Sequence, residues 1–195
     1  MPSDTRDRLV RVARDLIHGS SYAEVSVEDI CAAADVRRGS LYHFFASKEA
    51  LGLAVLEANW AMMRALLDEA FDAEIPPLDR IDRFVAGFAA MMARARNEMP
   101  TTPGCPLGNL TAELSTADAA TRTRITEILD SWARYFSDAV REAQVRGDLP
   151  GAIDPRTAAL GILAHLQGMA LLAKAYDQPR LVEQSRAAVR ALLGA

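Results

Sequence analysis

The chain has 195 residues, 50% of them hydrophobic, and a net charge of -4 from 26 acidic against 22 basic side chains. That length supports one large or two modest domains with a real core. The composition excludes disordered and repeat architectures, and the acidic balance excludes a protein that coats nucleic acid by charge alone. The elements read as helices from the start. Leu9, Val12, Ala13, Leu16 and Ile17 fall on one apolar stripe, which predicts an amphipathic helix over 5–18, closed by Gly19, Ser20 and Ser21. Ser26 followed by Asp29 is a capping-box pattern and predicts a short helix from Val27 through Ala33. Asp35 suits the left-handed conformation of a tight break, Val36 turns inward, and a third helix follows over 38–45.

Ser47 is placed to cap a long helix running from Lys48 towards Glu74. Pro76 and Pro77 mark the next boundary, and Leu78, Ile81, Phe84, Val85, Phe88 and Met92 make a stripe up to Pro100. After the irregular segment 101–109 come helices over 107–114 and 119–146, a turn over 147–150, and two last helices over 155–176 and 180–193. No strand alternation is visible, so the expected fold is all-α.

Two short helices around a tight turn make a helix-turn-helix, whose second helix enters the DNA major groove. Val36, Leu41 and Phe45 are spaced to face the supporting helices, leaving Arg37, Arg38, Ser40, Tyr42 and His43 outward. Arginine pairs bidentately with guanine, serine reads a base edge or phosphate, and tyrosine and histidine bind phosphate oxygens. Gly39 allows close approach of the backbone, and Lys48 sits in a first helical turn where a phosphate offsets its clash with the dipole. The charge distribution agrees. Residues 1–48 hold seven basic and seven acidic side chains, so the whole deficit lies in residues 49–195, with 15 basic and 19 acidic.

Residues 5–51, with Ser26 opening the second helix and Gly39, Leu41, Tyr42, Phe45 and Lys48 in register, resemble the DNA-binding domain of the TetR family of transcriptional repressors. The resemblance implies a recognition helix at 38–45, Tyr42 and Lys48 on phosphates, and Arg37, Arg38, Ser40 and His43 nearest the bases, with Ser26 and Gly39 completing the candidate DNA-binding set. Three positions depart from the pattern. Asp35 replaces a turn glycine, Arg37 stands where serine or threonine often caps the third helix, and Phe44 occupies a place often held by a phosphate-binding histidine, with His43 beside it. Gly104 through Leu110 resembles a signature of a branch that includes LmrA- and AcuR-like proteins.

The expected organisation is a helix-turn-helix DNA-binding domain at 1–47 and a helical effector-binding and dimerisation domain at 48–195. The candidate effector pocket is Trp60, Met63, Phe88, Met92, Cys105, Asn109, Trp132, Phe136, His165 and Met169. Aromatic and methionine side chains line adaptable apolar cavities, although the same spacing also builds cores. For His165 a satisfied core or interface histidine is the bland alternative. Residues 155–193 are expected to form a homodimer interface, with Gly161 and Gly168 allowing close helix approach and Leu166 and Leu192 among its apolar contacts.

Cys105 precedes Pro106 and so falls at a helix N-cap, where the dipole favours a thiolate; it reads either as an accessible sensor of electrophiles or as a small buried cysteine. Cys31 and Cys105 form no CxxC pair, and neither a disulfide nor a metal site is expected. With three histidines and no HExxH there is no visible catalytic apparatus and no expected cofactor. The first twenty residues carry Asp4, Asp7 and Asp15, and no run of about 18 apolar residues lacks charge, so a soluble cytoplasmic chain without a membrane partner is expected. The expected function is a regulator released from palindromic operator DNA by a small molecule. The alternative is a helical small-molecule-binding protein or enzyme with an incidental helix-turn-helix.

Overall fold

The computed structural model describes residues 2–194. Among them there is no strand. The helices are α1 (Pro2–Gly19), α2 (Val27–Ala33), α3 (Arg38–Phe44), α4 (Lys48–Ala70), α5 (Pro77–Glu98), α6 (Pro106–Leu114), α7 (Ala119–Arg146), α8 (Pro155–Tyr176) and α9 (Ser185–Leu193), with a 3-10 helix at Pro179–Gln184. The all-α expectation holds. Two compact units form: residues up to Met62 with Pro106–Ile125, and Met63–Cys105 with Thr126 onward.

In the first unit the predicted stripe of α1 is buried as Leu9, Ala13 and Ile17, against Ile30 of α2 and Leu41 of α3 in a common core. Each such fully buried aliphatic side chain contributes about 1.5–3 kcal/mol. Leu107, Leu110 and Leu114 show that α6 is amphipathic in the same sense. Three long-range polar ties complete this unit. Glu113 accepts from the backbone N–H groups of Tyr22 and Ala23, both at 3.1 Å. Asn59 Nδ2 donates to the Pro106 carbonyl at 3.2 Å, and Arg124 forks onto Glu57 at 2.5 and 2.9 Å.

The second unit is built on an aromatic cluster. Phe84 stacks on Phe88 with centroids 6.0 Å apart and meets Trp132 and Phe136 edge-on at 6.0 and 5.4 Å. Such pairs add about 0.5–1.5 kcal/mol each beyond the area they bury. Buried charge is matched. Arg80 donates to the Ile75 and Ala73 carbonyls and to both oxygens of Glu142, while Asp82 takes Arg190 and Arg186. Asp177, left-handed at φ 52 as the C-cap of α8, accepts from Arg96 and from the amide and hydroxyl of Thr102. It thereby pins the irregular segment before Cys105.

Several boundaries differ from expectation. α4 stops at Ala70 rather than Glu74 because Asp72 Oδ1 accepts the Glu74 N–H and turns the chain. The expected single helix at 180–193 is a 3-10 helix followed by α9. The buried residues explain it: Val182 to Ser185 is a spacing of three, and Ser185, Val189 and Leu193 then follow at four. α4 and α8 are each long and apolar enough, by length and composition, to cross a membrane, contrary to the expected lack of such runs. Both also pack within the fold, through Val55, Leu56, Met63 and Leu67 on α4 and Ile162, Leu163, Leu166 and Ala170 on α8.

Candidate DNA-reading site

The site starts with a cap. Ser26 Oγ accepts the Asp29 N–H at 3.1 Å while Asp29 Oδ2 accepts the Ser26 N–H at 2.9 Å, so the orphan donors at the start of α2 are satisfied reciprocally. The Ser26 hydroxyl also donates to Asp29, and these bonds hold the Asp29 carboxyl below its ordinary value. Ser26 thus serves the helix, its side chain turned onto its own capping box.

The break between the helices follows from Asp35 at φ 49. It lets the Ala34, Asp35 and Val36 amides bond back to Ile30, Ala32 and Cys31 at 2.9, 3.2 and 3.0 Å. Glycine is the easier residue there, and asparagine and aspartate are the side chains that tolerate it best. α3 then leaves at an angle fixed by two anchors, Leu41 with no exposed surface and Phe45 with 5%.

Around those anchors most of the segment faces solvent. Arg37, Arg38, Gly39, Tyr42 and His43 are exposed, and Ser40 and Phe44 are half-buried. Arg37 is the N-cap without a side-chain capping bond. The edge of His43 meets Phe44 at 4.9 Å. A Cβ added at Gly39 would meet nothing within 4 Å, so the protein's own packing does not ask for glycine there.

Two residues are engaged in ways the sequence did not announce. Arg38 Nη1 lies 2.5 Å from Glu28 Oε1, its Nη2 lies 3.4 Å from the Tyr42 hydroxyl, and its guanidinium sits over the Tyr42 ring at 5.5 Å. Lys48 Nζ donates to the Tyr22 carbonyl at 2.6 Å and sits 4.5 Å from the centre of the Tyr22 ring. Burial, with Glu49 and Glu113 nearby, pushes the Tyr22 hydroxyl up to about 12. Glu28 and Glu113 were missed because their partners lie 10 and 90 or 91 residues away, beyond any local periodicity.

Residues 9–55 match the model of bacterial regulatory proteins of the tetR family, and residues 77–189 match the tetracyclin repressor-like C-terminal domain. The chain belongs to the TetR family. A TetR-family member is a ligand-responsive DNA-binding transcriptional regulator and not an enzyme. The chain is 33% identical over 172 residues to the transcriptional regulator AcuR of Cereibacter sphaeroides, covering 88% of this chain and 77% of the relative. It is 31% identical over 170 residues to the HTH-type transcriptional repressor DhaR of a Mycobacterium species, covering 87% and 82%. The crystal structure of regulatory protein TetR from Rhodobacter sphaeroides superposes with a TM-score of 0.85 at 30% identity, over 95% of this chain and 97% of that one. TetR-family regulators bind operator DNA and act as dimers.

The expected pocket residues divide between the two units. Trp60 and Asn109 belong to the first, and Met63, Phe88, Met92, Cys105, Trp132, Phe136, His165 and Met169 to the second. In the second, Met63, Phe88, Met92, Trp132 and Phe136 have no exposed surface, and His165 and Met169 are half-buried. Trp132 Nε1 and His165 Nε2 are buried without a hydrogen-bond partner. Cys105 is 2% exposed, and Gln167 Nε2 donates to its sulfur at 3.7 Å. Of the two readings of Cys105, the structure therefore bears out the small buried cysteine. Of the expected interface contacts, Leu192 is exposed, but Leu166 has no exposed surface and belongs to the core of its own protomer.

Proposed function

We propose that the chain is a cytoplasmic homodimeric repressor that binds a palindromic operator through α3 and leaves it when a small molecule occupies the second unit. The observation that carries the reading is the outer side of α3. Arg37, Arg38, Tyr42 and His43 stand exposed around a glycine that the fold itself does not need. These are side chains that reach base edges and phosphates from a major-groove helix. Lys48 reaches a phosphate by exchanging the Tyr22 carbonyl for it, and Ser26 acts by holding α2 in place.

Two features of the second unit support the rest. The orphaned Trp132 Nε1 and His165 Nε2 are costly in a closed interior and favour an effector that accepts hydrogen bonds among Met63, Phe88, Met92, Phe136 and Met169, with Cys105 as a further contact. α8 presents Leu160, Leu171, Leu172 and Tyr176 to solvent, and a Cβ at Gly161 or Gly168 would meet nothing within 4 Å. An apolar face of this kind, continued by Leu192 on α9, suits a second copy of the chain at residues 155–193. An effector that prefers the conformation with badly spaced recognition helices lowers operator affinity by its differential binding. That one relative is named a repressor favours release over activation. Selection of bound sequences from a random DNA pool tests the reading: two inverted half-sites are expected, and recovery of no sequence refutes it.

A further inference from the structure

We propose that Glu28 is a specificity-determining residue of the DNA interface: it holds Arg38 off the phosphates and presents it to a base. The inference rests on the reading of α3 as the recognition helix.

The two arginines that open α3 are adjacent in sequence but chemically unlike. Arg37 is exposed and makes no ion pair among the described residues. Arg38 is held on three sides, by Glu28 Oε1 at 2.5 Å, by the Tyr42 hydroxyl at 3.4 Å, and by the face of the Tyr42 ring. The pair is no part of the core, because the Arg38 and Glu28 side chains are 62% and 61% exposed. Ion pairs this exposed add little stability. An acidic side chain on the DNA-facing side of a helix-turn-helix also repels the duplex, so its presence needs a reason other than affinity.

The guanidinium supplies that reason. It carries five N–H donors in a planar fork, of which Glu28 and Tyr42 take two. Three remain, enough for a two-bond contact with guanine O6 and N7. Glu28 cancels the net charge that would draw Arg38 to any phosphate, yet leaves its directional donors in place and its rotamers already restricted. A register that offers no base acceptor then gains little attraction from Arg38 and meets the repulsion of Glu28. Discrimination arises from this unfavourable element as much as from the favourable one. Arg37, uncompensated, remains the cation that phosphates attract.

The test uses the full-length protein with the operator obtained from the random pool and an unrelated duplex, across a range of salt, for wild type, Glu28→Gln, Arg38→Ala and the double variant. Glu28→Gln is expected to bind the unrelated duplex about tenfold more tightly and to steepen the log-log salt slope by about 1, as released Arg38 neutralises one more phosphate. The operator-to-unrelated ratio falls accordingly. In the Arg38→Ala background the same change is expected to leave that ratio within about twofold, since there is no guanidinium left to position. Both residues are exposed, so melting temperatures should match that of wild type. An unchanged ratio in Glu28→Gln, or an equal fall in both backgrounds, overturns the inference alone. Recovery of no operator by wild type overturns the DNA-reading role of α3 and this inference with it.

Discussion

Gly39→Ala separates what the fold requires from what its partner requires. Gly39 is the second residue of α3, is exposed, and has open space where a Cβ would stand. Alanine is therefore accommodated, and its better helix propensity stabilises the fold by about 0.5–1 kcal/mol. For a chain of this size that corresponds to a rise of about 1–4 °C in Tm. The same methyl group projects from the surface proposed to face DNA. Forcing one extra carbon into a close-packed contact costs about 1–3 kcal/mol, which is about a fivefold to 150-fold loss of operator affinity. Calorimetry gives the first quantity and fluorescence anisotropy on the operator the second. A raised Tm with unchanged affinity would refute the reasoning, because it would mean that no duplex approaches α3 at this point.

Arg37→Ala should weaken binding to operator and random DNA alike and reduce the salt slope by about 1, the signature of a lost phosphate contact; salt titrations on both duplexes check it, and a loss confined to the operator would put Arg37 on a base instead. Leu171→Glu, on a side chain that is 65% exposed, should leave the protomer folded and yield monomers in sedimentation, whereas dimers retained by that variant would move the interface off α8. Arg96, with the Thr102 amide and hydroxyl, draws the Asp177 carboxyl down from 3.8 to about 2. A carboxyl lowered in the folded state contributes stability that is present above pH 4 and lost as pH falls from about 4 to about 2. Denaturant melts of Asp177→Asn should accordingly show a flatter decline across that window than wild type.

Much of the DNA-reading half was legible because its signals are local. The Ser26–Asp29 capping box, the left-handed Asp35 and the inward spacing of Leu41 and Phe45 each follow from residues within a few positions of one another. What escaped were contacts made by closure of the fold. Glu113 reaches back 90 and 91 residues to two amides, and Lys48 turns onto a carbonyl 26 residues earlier, so neither leaves a periodic trace. For Cys105 the sequence left an accessible and a buried reading open, and the contact that favours the second comes from Gln167, 62 positions away. Leu166 and Leu171 share one apolar helix, and composition alone does not say which side of it faces inward.

The grip of Glu113 on the Tyr22 and Ala23 amides bears on modularity. The first compact unit is discontinuous: the chain leaves it at Met62 and returns at Pro106, bringing Leu107, Leu110 and Leu114 into its core. A fragment cut after α3, or a chimera that grafts only the N-terminal segment onto a foreign sensor, would strip away those leucines and leave two turn amides without their carboxylate acceptor. Transplanting this reading head therefore calls for two splices rather than one, with residues 106–125 travelling alongside the first 62.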